Sequence, residues 1–355
     1  MIRARSGLPA TSETTSPERV SSASSREIRQ DWVVIAAAFW LGAGLYWDGW
    51  AHGYGLPDSF WTIWHAAFYS GFGACAVAIA APVILARSRT APWRDIAAWR
   101  AAIPAGYERA VLGVLIFSVG GVIDMTWHTL FGIEFSTDAL LSPSHMILAV
   151  GAALIASGPF LAATRRQARG GLVASLPAVI SLTFLLGAMT FFTLFAGPYS
   201  GIIGAGSRPA DATLVRALLG VYLFSALIVG VALVALRRGL LPFGALTVIL
   251  GLNAFGMILM RGHALIQAQV TFMVVAIVAG VIGDLLVRQL RPSMERVVQL
   301  RLFAIAFPAL YWALYLAVAV IGFGSGWTVH ELTGIVVQAG IVGFLVSYVF
   351  VGDGR

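Results

Sequence analysis

Apolar runs of about twenty residues recur down this chain from residue 32 onward, and no other feature constrains its fold as tightly. Ten of them stand out, at 32–51, 61–86, 108–131, 142–163, 173–196, 212–236, 240–260, 264–288, 299–322 and 328–351. Each is long enough to cross about 30 Å of hydrocarbon as a helix, the span-forming element whose backbone polar groups are all satisfied internally. With 59% of the 355 residues hydrophobic and 11% charged, a water-soluble globular fold is excluded. The fold class is therefore all-α, a polytopic integral membrane protein with about ten transmembrane helices, and its first partner is the lipid bilayer. Residues 1–30, rich in Ser, Thr and Arg, read as a disordered cytoplasmic tail.

The formal charge of +7 comes from 23 basic residues against 16 acidic ones, and every basic residue is arginine. These arginines form short clusters between apolar runs and make no basic stripe interleaved with aromatics, so they carry a topology signal and argue against a nucleic-acid partner. With the N-terminus inside, twenty of the 23 fall on the cytoplasmic side, leaving Arg208, Arg216 and Arg261 outside. Both termini are then cytoplasmic and the chain is a multi-pass protein of the cell (inner or plasma) membrane. The single cysteine, Cys75, lies inside an apolar run, which excludes an intrachain disulfide framework and suits a buried thiol.

In this topology the six histidines, at 52, 65, 128, 145, 263 and 330, all fall at outer ends of spans. Near the end of the first span, "YWDGWAHGYGLPDSFWTIWHAAF" sets Asp48 and His52 four apart on one helical face, with His65 opening the returning helix. Near the end of the third, "VIDMTWHTLFGIEFSTDALLSPSHMIL" repeats the step with Asp124 and His128, and His145 opens the return. The spacing predicts a duplicated hairpin, an internal repeat over 31–165, followed by a six-helix membrane region over 166–355. A carboxylate near a bilayer is costly without a partner, and a divalent metal is the partner that accounts for one Asp and two His together. Two imidazoles and one carboxylate suit copper, zinc or iron, and the ligand set alone does not choose among them. The competing reading is that each Asp only hydrogen-bonds the histidine one turn on and fixes helix packing.

The pattern resembles the metal-binding motif in the C subunit of copper membrane monooxygenases, the particulate methane and ammonia monooxygenase family, where "D-x-x-W-H" is followed by "T-P-S-H". The first hairpin keeps the family spacing of twelve residues between its histidines but lacks the flanks. The second keeps the flanks, "DMTWH" and "SPSH", with sixteen residues between. The resemblance covers roughly Asp48 to His145. It implies copper at the outer face, held by Asp48, His52, His65, Asp124, His128 and His145, with oxygen chemistry on a small apolar substrate. It also implies further membrane subunits, and an extracytoplasmic copper donor is a natural partner.

His263 in "MRGHALIQAQ" and His330 in "WTVHELTG" begin inward-running helices at the same face and are possible additional ligands, with Glu331 a candidate proton acceptor. Glu134, Asp138 and Asp58 read as solvated loop charges, and Asp284 as an ion pair with Arg288 at i+4. The loop 197–211 is the longest outer connection and is placed to cover the metal face. Trp47, Trp50, Trp61, Trp64, Trp127 and Trp327 form an interfacial belt or wall an apolar pocket. Three functions stay open at this level: a copper oxidoreductase or its subunit, a copper binding or delivery protein without catalysis, and a structural membrane subunit.

Overall fold

The computed structural model describes residues 17–57, 59–87, 92–134, 137–166, 171–261 and 266–351. Its regular elements there are α-helices, with one isolated bridge between Gly206 and Ser325. Among the described residues nine helical stretches are long and apolar enough to cross a membrane. In chain order the helices are α1 (Pro17–Gly53), α2 (Ile63–Ala86), a short connecting α3 (Ile96–Ala102), α4 (Glu108–Phe131), the turn-length α5 (Thr137–Leu141), and α6 (Pro143–Ala156) continued by α7 (Gly158–Arg165), and all of these except α3 and α5 belong to the nine stretches. After α8 (Leu172–Phe192) and α9 (Asp211–Arg237) comes the apolar 17-residue α10 (Ala245–Arg261), and then α11 (Ile266–Leu290), α12 (Val297–Phe323) and α13 (Val329–Val351). At 1.5 Å per residue α10 is about 26 Å long, a few ångströms short of the hydrocarbon core.

Two boundaries differ from the sequence expectation. Helix α1 begins at Pro17, so residues 17–30, read as disordered tail, are helical; residues 1–16 lie outside the described residues. That extension carries Asp31 into the interior, where it is fully buried, accepts a 2.7 Å hydrogen bond from the Tyr107 hydroxyl and pairs with the Arg166 guanidinium. The helix of the fourth span is divided at Ser157, because Pro159, two residues on, cannot donate to the helix ladder.

The hairpin helices approach through glycines. A Cβ added to Gly44 would lie 2.5 Å from the Phe68 Cα, and one added to Gly71 would lie 2.6 Å from Leu41 backbone, so α1 and α2 touch main chain to main chain. Between α4 and α6, Gly113 meets the Gly151 carbonyl at 2.7 Å and Gly151 meets Phe117 at 2.8 Å on the same measure. Buried side chains form two clusters. One, built around Val34, Leu41, Phe68, Cys75, Phe117 and Ile155, belongs to the hairpin helices. The other, around Leu182, Phe224, Phe307, Trp312 and Tyr315, fills α7 to α13.

Asp284 is not the helical ion pair its spacing suggested. It is buried on α11 and accepts hydrogen bonds from the Leu246 and Thr247 N–H groups and from the Thr247 hydroxyl, capping the start of α10 across the interface. Arg288 instead lies over the Phe243 ring, 5.9 Å from its centroid.

Candidate metal centre

Helices α1 and α4 end, and α2 and α6 begin, at the same end of the bundle. Asp48 lies five residues before the end of α1 and Asp124 seven before the end of α4, so each carboxylate sits about 8–11 Å inside its helix terminus. His65 and His145 are each the third residue of the returning helix. Two triads result, Asp48–His52–His65 and Asp124–His128–His145, each with its three donor atoms within 4.8 Å of one another.

The second triad is the tighter. Asp124 Oδ1 lies 3.4 Å from His128 Nε2 and 3.2 Å from His145 Nε2, and the two Nε2 atoms are 3.4 Å apart. Ligands 2.0–2.2 Å from a tetrahedral ion are separated by 1.63 times that length, about 3.3–3.6 Å, so this spacing fits a first-row metal. In the first triad Asp48 Oδ1 lies 3.3 Å from His65 Nε2 and 3.7 Å from His52 Nε2, using the same atom types. The triads adjoin, with the His65 and His128 ring centroids 6.2 Å apart.

On three of the four rings the far-side nitrogen faces an acceptor. His65 Nδ1 is 2.9 Å from the Ser59 carbonyl and His145 Nδ1 is 2.6 Å from the Ala139 carbonyl, in both cases six residues back along the chain. A carbonyl only accepts, so Nδ1 carries the proton and donates it, and Nε2 presents a lone pair in the neutral ring. His128 Nδ1 faces the Glu134 carboxylate at 3.1 Å and the Gly132 carbonyl at 3.4 Å, both acceptors, with the same result. With both rings neutral, three acceptors converge at the second triad, and either a metal ion among them or a proton on one Nε2 satisfies them.

Asp124 is itself held. Ser144 Oγ donates to its Oδ1 at 2.8 Å, and the Tyr69 hydroxyl, from α2, donates to its Oδ2 at 2.7 Å. Tyr69 thus ties one hairpin to the carboxylate of the other, a supporting contact of the kind that orients metal ligands. Sequence reasoning missed Tyr69, because nothing in a separation of 55 residues marks the pairing. It quoted Ser144 as part of "SPSH" without a role, and it took Glu134 for a solvated loop charge when the carboxylate in fact faces His128.

Other candidates fall elsewhere. His330 is exposed on α13 and belongs to neither triad. Glu331 accepts from the Thr328 N–H at 2.6 Å while Thr328 Oγ1 accepts from the Glu331 N–H at 3.2 Å, a reciprocal cap on α13, and it pairs with Arg208 at 3.6 Å. Glu331 thus caps α13 and stands apart from both triads. Asp138 is exposed, and His263 and Asp58 lie outside the described residues.

A cavity of about 790 Å³ opens beside the triads, lined by Asp48, His52, His65, Asp124 and His145 at its polar end. Its walls are mostly aliphatic and phenylalanine side chains with no tryptophan among them, while Trp47 and Trp50 border a second cavity of about 440 Å³. The loop between α8 and α9 reaches the first cavity through Ser200, and the Tyr315 hydroxyl anchors it through the Pro198 carbonyl at 3.0 Å. No protein-family model, curated protein or solved structure matches the chain.

Proposed function

We propose that this chain is an integral membrane metalloprotein holding a copper ion in each Asp/His/His triad at the extracytoplasmic face, as an oxidoreductase of the copper membrane monooxygenase kind or a subunit of one. The observation that carries the reading is the convergence of Asp124 Oδ1 with two Nε2 atoms at 3.2–3.4 Å, the edge lengths of a metal's ligand shell. The N/N/O donor set suits copper, zinc or iron, and the "DMTWH" and "SPSH" flanks favour copper. Arginine clusters on the opposite side favour cytoplasmic termini, with the triads facing outward.

Copper bound there would supply one-electron redox chemistry and a site for oxygen. The chain's own residues do the rest. Ser59, Ala139 and Glu134 orient the imidazoles, and Tyr69 and Ser144 hold the Asp124 carboxylate. Further membrane subunits and an extracytoplasmic copper donor complete the proposal.

The test is metal content per chain after copper reconstitution in detergent, with copper EPR on the same samples. Two coppers are expected in the natural chain, one in Asp48→Ala, one in Asp124→Ala and none in the double variant. Copper at background in the natural chain, with the double variant equally stable, overturns the reading in favour of ion-paired structural triads. Bound copper that does not change oxidation state with reductant and oxygen assigns the chain to copper binding and delivery.

A further inference from the structure

The cavity beside the triads is long and has two unlike ends. Along α1 its lining runs from His52 inward to Ala38, and along α6 from His145 to Ala156, about 21 Å and 17 Å of helix. Its inner part is bounded by apolar side chains such as Leu41, Ile155 and Phe184. Its outer end gathers the triads and two cations, Arg216 in the second turn of α9 and Arg261 at the end of α10. The Arg261 Nε–H donates to the Tyr199 carbonyl at 2.8 Å, which fixes the guanidinium at the cavity wall, and that group carries four further N–H donors.

A small apolar substrate needs neither this volume nor the arginines. About 790 Å³ lies within the range that encloses a ligand of several hundred daltons, and an apolar shaft with a cationic rim sorts a molecule by its two ends. We propose that the cavity binds a single-chain membrane amphiphile, its carboxylate or phosphate head at Arg261 and Arg216 beside the triads and its hydrocarbon tail running inward between α1 and α6. This deepens the metalloprotein reading by naming the molecule that the metal end faces. Metal content and amphiphile binding are measured separately, so either can fail alone.

The experiment uses the full chain in lipid nanodiscs, titrated with cis-parinaric acid, a fluorescent fatty acid. One saturable site per chain is expected, at least tenfold weaker in Arg261→Gln and abolished in Ala152→Phe, which fills the shaft, with copper content unchanged in both. Lysophosphatidic acid should displace the probe, showing that phosphate serves as well as carboxylate; failure to displace narrows the head to a carboxylate. The uncharged monoacylglycerol of equal chain length should not displace it. Non-saturable binding, natural affinity in Arg261→Gln, or equal displacement by the monoacylglycerol overturns the proposal. Should Ala152→Phe fail to assemble, as its copper content would reveal, the Arg261→Gln and competitor arms decide the matter.

Discussion

Asp124 carries more of the site than any other single side chain. One oxygen meets two imidazoles and a serine, and the other takes the Tyr69 hydroxyl. Removing a supporting hydrogen bond of this kind typically costs a metal site 10- to 100-fold in affinity. Tyr69→Phe should therefore weaken copper at the second triad by roughly that factor while the first triad keeps its affinity, as read by competitive chelator titration. The six residues of the two triads were legible as groups because an i,i+4 step places Asp and His on one face and a hairpin returns the third residue. Their hydrogen-bonded supports were not, since they depend on which helices meet. Asp31 was hidden for the same reason: its partners Tyr107 and Arg166 are distant in sequence and it sits just before the first apolar run. Deleting Asp31 leaves the Tyr107 hydroxyl without its acceptor and the partly buried Arg166 with only Glu27 at 4.0 Å, so Asp31→Ala should lower unfolding stability by about 1–3 kcal/mol, measured by denaturant-induced unfolding in detergent.

Between elements, spacing is set by glycine. Gly44 lies one helical turn before Asp48, and Gly71 lies six residues after His65, so the closeness of α1 to α2 determines whether the two ligands meet. Gly71→Leu cannot be accommodated where a Cβ already meets Leu41 backbone at 2.6 Å. The helices must separate, and the expected result is loss of copper from the first triad with the second retained, visible as one copper per chain. Helical character was readable from the apolar runs alone, and nine of the ten runs became helices long enough to cross a membrane, α10 being the short one. The break at Ser157, the early start of α1 and the cross-helix cap from Asp284 were not readable, because each answers a backbone demand that periodicity does not register.

For the whole molecule, the arginine asymmetry makes a directional statement that labelling can check. Trp61 is 84% exposed in the hairpin tip between α1 and α2, and Trp93 is 74% exposed between α2 and α3. With Cys75 buried and therefore silent, Trp61→Cys should react with an impermeant maleimide added to intact cells, and Trp93→Cys only after permeabilisation. The opposite pattern would invert the topology and put the triads on the cytoplasmic side. The division of buried residues into two clusters was not legible, since small and apolar residues fill every span alike.

The Tyr69 bridge also bears on how the chain is made. Synthesis proceeds from the N-terminus at about 5–20 residues per second, so Asp124 emerges roughly 1–4 seconds before Ser144 and His145, which complete its surroundings. During that interval the third span holds a carboxylate whose later partners do not yet exist. Tyr69, 55 residues earlier, has by then been made, and its hydroxyl is the first of the Asp124 partners on another helix to become available. The first hairpin would thus act as an intramolecular assembly guide for the second, and the order of the two hairpins in the chain would matter to biogenesis as well as to the finished site.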